Sequence, residues 1–146
     1  RDAFWDRPAL GRTVAMGDFN RDGRLDLLCN HLDQPVELLQ NQTGGQGHSI
    51  TLELVGVVSE RDAIGAKVTV VAGEHQHTAW MIGGDGYMCS NEAIVHVGLG
   101  PECESVERIK IDWPSGQRDQ FTSLSPDQRY LVVEGATQVF TRQQDE

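Results

Sequence analysis

Along this chain apolar side chains recur at every second position, and turn-forming residues interrupt the runs every ten or so positions. Period-two runs are strands with one buried face, and short strands punctuated this regularly build an all-β sandwich or barrel. The pattern predicts strands over 13–17, 26–30, 36–41, 49–55, 66–72, 76–82, 93–97, 106–113 and 130–134. The cleanest alternations are Ile50/Leu52/Leu54, Val68/Val70 and Ile109/Ile111/Trp113. The positions between them (Thr51/Glu53, Lys67/Thr69, Lys110/Asp112) are expected to face water. No segment carries the i, i+3, i+4, i+7 stripe of a helix. Ser125-Pro126-Asp127-Gln128 has the residues to open a single helical turn, with Ser as cap and Pro at the first helical position. The β-branched Val132-Val133 stops anything longer.

One break divides the chain. The run Asn41-Gln42-Thr43-Gly44-Gly45-Gln46-Gly47 is polar, glycine-rich and flanked by strands. It predicts a front piece over 1–45 and a module over 46–146. The front piece is too short for an independent β domain and reads as the end of a larger β assembly. The rest is long enough for a small β domain. The first residue is Arg1 and no charged-then-apolar leader comes after it, so the chain reads as a piece of a longer protein and its missing leader says nothing about location.

The front piece contains the candidate chemistry. In Asp18-Phe19-Asn20-Arg21-Asp22-Gly23-Arg24-Leu25-Asp26, oxygen side chains occupy relative positions 1, 3, 5 and 9, and glycine occupies position 6. Calcium takes six to eight hard oxygen ligands at about 2.3–2.6 Å from a loop that curls around it. Alternate residues can point one way, so Asp18, Asn20 and Asp22 can converge. Gly23 permits the reversal, the Arg24 carbonyl can add an oxygen, and Asp26 can close the ring. The bidentate Glu of an EF-hand is absent: Cys29 stands at position 12. The flanks read as strands, so the expectation is a β-loop-β calcium loop. The simpler alternative is an Asp22-Gly23 turn with solvated carboxylates.

Charge narrows the partners. The 146 residues include 12 Lys+Arg and 22 Asp+Glu, a formal net charge of −10. Such a surplus repels phosphate backbones and anionic membranes, which argues against nucleic acid. No run approaches the ~20 apolar residues of a membrane span, which argues against insertion.

With the loop in view, the stretch Gly17-Asp18-Phe19-Asn20-Arg21-Asp22-Gly23-Arg24-Leu25-Asp26-Leu27 resembles the core of an FG-GAP/VCBS repeat, the blade unit of calcium-bearing β-propellers. The module C-terminal to it resembles the ASPIC/UnbV domain, a family named partly for a secreted acidic protein of cartilage. The residues carrying this second resemblance are Arg61-Asp62-Ala63-Ile64-Gly65-Ala66-Lys67-Val68, Gly83-Gly84-Asp85-Gly86-Tyr87, His96-Val97-Gly98-Leu99-Gly100, Asp112-Trp113-Pro114-Ser115-Gly116 and Val133-Glu134-Gly135. The resemblance implies a fragment of a propeller blade with Asp18, Asn20, Asp22, Asp26 and the Arg24 carbonyl on calcium, followed by an antiparallel β-sandwich or barrel-like domain. It implies a secreted, cell-surface or periplasmic parent, and no catalytic residue comes with it.

The remaining candidates are weaker. Trp80, Asp85 and Tyr87 could form part of a sugar-stacking platform, whereas the parity of Trp113 puts it inside. His75 and His77 lie two apart at a hairpin tip; zinc or copper would need further ligands that no sequence neighbour supplies, so a solvated turn is the expectation. His96, on an apolar strand, reads as a core histidine or one that supports a neighbouring residue, and not as a base. Cys29 reads as a small buried hydrophobe. Cys89 and Cys103 sit in loops and invite a disulfide. The strand between them, however, carries its ends roughly 15–20 Å apart at ~3.3 Å per residue, and a bridge needs Cα atoms within about 7 Å. No nucleophile elbow, phosphate loop or His-Glu-x-x-His motif occurs.

The expected function is therefore a non-catalytic, calcium-binding extracellular adhesion or ligand-binding module with a protein or glycan partner. Two alternatives stand beside it. One is an enzyme or accessory domain acting on an extracellular polysaccharide, with Asp85 and Asp112 as carboxylates. The other is a structural cap of the propeller.

Overall fold

The computed structural model describes residues 3–44 and 47–142. They form two compact units, Arg1–Gln42 with Gly84–Glu92, and Thr43–Gly83 with Ala93–Glu146.

In the first unit a 3-10 turn over Ala3–Asp6 precedes three antiparallel strands: β1 (Gly11–Gly17), β2 (Asp26–His31) and β3 (Glu37–Leu39), in the order β1-β2-β3. The loop 18–26 joins β1 to β2, which register from Gly17 opposite Asp26 to Thr13 opposite Asn30. The segment Gly84–Glu92 lies along the outer edge of β1. Met16 N–H donates to Asn91 Oδ1 at 2.8 Å, Glu92 N–H to Met16 O at 3.0 Å, and Asp18 N–H to Glu92 Oε2 at 3.1 Å. An unpaired strand edge invites another strand, and this segment closes the edge of β1 from within the chain.

The second unit holds β4 (His48–Val55), β5 (Lys67–Ala72), β6 (His75–Trp80), β7 (Val95–Gly100), β8 (Val106–Asp112), β9 (Arg118–Leu124), β10 (Gln128–Val133) and β11 (Phe140–Thr141). They make two four-stranded sheets, β11-β10-β4-β7 and β6-β5-β8-β9. All pairings are antiparallel except β10 with β4, which is parallel. The core lies between the sheets: Ile50, Leu52, Val68, Val70, Ile109, Ile111 and Trp113 are all buried in one cluster with Val97 and Val132. The architecture is all-β and sandwich-like, as the alternations require.

Several details depart from the sequence pattern. Thr51, expected in water, is buried, because β4 is a central strand; its hydroxyl lies 2.9 Å from Nδ1 of the cross-strand His96. His96 consequently faces outward between the inward Val95 and Val97 instead of lying in the core. No helical turn forms at Ser125. The Tyr130 hydroxyl instead donates to Ser125 O and accepts from Ser125 N–H, both at 3.2 Å, which satisfies the corner without a helix. Strands β9 and β11 carry too little alternation to be found from the pattern.

A tight corner succeeds β4. Gly56 donates to Arg61 O at 3.0 Å, and a Cβ built on it would stand 2.1 Å from Glu60 O. Because that neighbour is backbone, it cannot turn away. Gly56→Ala is expected to destabilise the unit by about 1–3 kcal/mol, the range for forced overpacking. A chemical-denaturation midpoint unchanged by the substitution would contradict the corner as described.

Candidate functional site

The loop 18–26 gathers three of the expected ligand side chains. Asp18 Oδ1 accepts the Asp22 N–H at 2.9 Å and Asp18 Oδ2 the Gly23 N–H at 2.9 Å. Asn20 Oδ1 accepts the same Asp22 N–H at 3.2 Å, while Asn20 Nδ2 donates to Asp22 Oδ2 at 2.7 Å. Asp22 Oδ1 accepts the Arg24 N–H at 2.9 Å, and the Arg24 guanidinium pairs with Asp22 Oδ2 at 2.5 Å. The Asp22 carboxyl lies below its ordinary pKa: desolvation pushes it up, and the hydrogen bonds from Asn20 and Arg24 outweigh that push. The curl is possible because Gly23 (φ 82°) and Arg21 (φ 57°) both adopt left-handed conformations. Asp26 stands apart from these three. It is fully buried, with Oδ1 accepting the Asn41 N–H at 2.7 Å and Oδ2 the Phe19 N–H at 3.3 Å, so it ties the loop to the end of β3. Among the described residues no three His, Cys, Asp or Glu side chains already converge as a metal cluster.

Asp85 and Tyr87 belong to the first unit and Trp80 to the second. Asp85 Oδ2 accepts from Asn91 Nδ2 at 2.6 Å. Tyr87 is 64% exposed with the Arg12 guanidinium 4.9 Å from its ring centre, and Trp80 is 54% exposed with the Lys67 ammonium 5.7 Å from its ring. Asp112 pairs with Lys110 and Arg118, and the Lys110 hydrogen bond holds its carboxyl below the ordinary range. The structure holds all three cysteines as free thiols. Cys89 Sγ donates to Val14 O within the first unit, and the buried Cys103 to Ser105 O within the second. Cys29 is buried, as its place in an apolar strand suggests.

The second unit holds an arrangement that pattern reading did not single out. Glu134 is buried, and its Oε2 accepts three consecutive backbone N–H groups, from Val57 (2.7 Å), Val58 (2.8 Å) and Ser59 (2.7 Å). Its Oε1 accepts the hydroxyls of Ser59 and Ser115. Burial pushes this carboxyl up, but the donors from Ser115, Ser59 and Val57 prevail and hold it at about 2. Beside it in sequence, the Gly135 N–H donates to the buried Asp119 Oδ2 at 2.8 Å, which also accepts Trp113 Nε1 at 2.7 Å. The available signal was parity. Glu134 continues the inward positions of Tyr130 and Val132, and Asp119 precedes inward Phe121. An acid at a core position needs dedicated donors.

The ASPIC and UnbV family profile matches residues 56–139. The chain is 36% identical over 104 residues to cartilage acidic protein 1 of Mus musculus and 35% identical over 103 residues to that of Homo sapiens, covering 68% of this chain in both cases. The protein of the same name from Xenopus tropicalis is 29% identical over 111 residues, 73% of this chain. The chain spans only about 16% of the length of the mouse relative, 15% of the human and 17% of the frog protein. The profile runs from the Gly56 corner through Trp113, Asp119 and Glu134, so the residues that build the second unit's polar network lie within the matched region: this chain belongs to the ASPIC and UnbV family.

Proposed function

We propose that this chain is a non-catalytic, calcium-binding extracellular module from the C-terminal part of a propeller protein. Its first unit would be a blade fragment, and its partner a protein or a glycan. The observation that carries the reading is the loop 18–26, where the side-chain oxygens of Asp18, Asn20 and Asp22 are gathered by a glycine-dependent curl. The donor set suits a hard divalent cation. A carboxylate has about four lone-pair sites, so oxygens that accept one backbone N–H retain capacity for a ligand. Asp18, Asn20, Asp22 and the Arg24 carbonyl would hold the ion, with Asp26 joining them or fixing the loop from behind. The ion would contribute rigidity at the β1–β2 turn. Family membership and the name of the cartilage relatives support an extracellular setting.

The non-catalytic reading has its own support. A general base works best with a pKa near the operating pH, whereas Glu134 is held at about 2. Asp112 and Asp85 are engaged by Lys110 and Asn91.

Calorimetric titration of calcium into the chain is expected to give one binding event, weakened at least tenfold in the Asp18→Ala, Asp22→Ala double variant. At calcium 100-fold above Kd, folding should gain about 2.7 kcal/mol. Equal heats for the two proteins would sink the calcium reading. Glycan hydrolysis by the purified chain would overturn the non-catalytic one.

A further inference from the structure

His75 and His77 acquire neighbours in the fold that the sequence around them lacks. They sit on β6, the edge strand of its sheet, with His75 opposite Ala72 and His77 opposite Val70. Cross-strand partners share a face, and Val70 and Ala72 are core residues, so both imidazoles lie on the inner face at the rim of the sandwich. Their ring centres are 6.4 Å apart and their planes inclined by 43°. His75 lines a cleft of about 590 Å³ formed by the β5–β6 turn and the β7–β8 connection, and Glu74, Glu102, Glu104 and Glu107 line it too. These four carboxylates are exposed.

We propose that His75 and His77 together bind a divalent transition metal, copper(II), zinc or nickel, at the rim of this acidic cleft. Imidazole favours these ions over calcium, which prefers oxygen alone. Metal–nitrogen bonds of about 2.0–2.1 Å put each ring centre about 3.2 Å from the ion, so two such ligands at 90–110° stand roughly 4.5–5.3 Å apart. The rings therefore have to close by about an ångström. His75 is exposed and His77 half-buried at the sheet edge, so a side-chain adjustment suffices. The carboxylates also raise the local cation concentration by their field. The sequence around the histidines offers only Glu74; Glu102, Glu104 and Glu107 arrive with the β7–β8 connection.

The test uses the whole chain, stripped of metal and titrated with copper(II) and with zinc. Imidazole nitrogen signals are followed by NMR and affinity by calorimetry. One equivalent is expected, with His75 and His77 shifted and millimolar calcium unable to compete. His75→Ala and His77→Gln should each weaken binding at least tenfold, and Glu102→Gln with Glu104→Gln severalfold. Unchanged affinity in both histidine variants, or shifts confined to His31, His48 and His96, would overturn the proposal. Should His77→Gln fail to fold, the exposed His75→Ala decides alone.

Discussion

Replacing Glu134 by alanine is expected to cost about 3–5 kcal/mol, because it strands a set of partners together. Three consecutive backbone N–H groups and two serine hydroxyls converge on this one carboxylate. Hydrogen bonds to a charged acceptor contribute about 1.5–3 kcal/mol each and are not additive. Glu134→Gln keeps the shape and one carbonyl oxygen and should cost less, about 1–3 kcal/mol. Urea unfolding checks both, as a fall in midpoint at unchanged slope; a loss below about 1 kcal/mol for the alanine variant would refute the role assigned to this carboxylate.

The same group sets an acid sensitivity. Its folded pKa of about 2 lies below the ordinary 4.5. A depressed carboxylate contributes fully above its unfolded pKa, and the contribution is lost as pH falls through the folded value. Stability conferred by Glu134 should therefore be intact above pH 4.5 and decline from there toward pH 2. The glutamine variant, which cannot titrate, should show a shallower decline over that window.

The second large effect belongs to Asp119. It lies inside the sandwich, where Oδ2 accepts Trp113 Nε1 and the Gly135 N–H, and Oδ1 accepts Gln117 Nε2 at 3.1 Å. Asp119→Ala leaves the buried indole N–H and the Gly135 amide without acceptors, at an expected cost of about 2–4 kcal/mol. Trp113→Phe removes the donor and some volume while keeping an aromatic ring, at about 1–3 kcal/mol. The two residues touch, so their effects should not add. A double-mutant cycle is expected to return a coupling of about 1–2 kcal/mol, and strict additivity would mean that the hydrogen bond contributes nothing.

Both predictions concern acids that a pattern of apolar residues hides. The inward positions of β9 are Asp119 and Phe121, and an acid breaks the alternation that marks a strand. The stretch becomes a strand because Trp113 and Gly135 bring donors to the carboxylate, and Gly135 lies sixteen positions away. β11 is two residues long and exists only by pairing with Tyr130 and Leu131. The misplacement of Thr51 has a related cause. Period two tells which residues share a face, but only strand order tells whether the outer face of β4 is covered by neighbours on both sides.

The candidate loop was legible for the opposite reason. Asp18, Asn20, Asp22 and Gly23 act within six residues, so spacing alone brings their oxygens together. Asp26 behaves differently because its partners include Asn41, fifteen positions away. The histidine pair was legible only as a pair.

By itself, the sequence determined what depends on contacts a few residues apart: period-two strands, an all-β class, and a loop able to gather oxygens. The tertiary structure alone decided which acids are interior, which strand edges are covered, and which carboxylates stand beside His75. Local spacing is set by covalent geometry and is visible in one dimension. Buried charge and strand order depend on partners that meet only when the chain closes, so their stabilising contacts leave no period in the sequence.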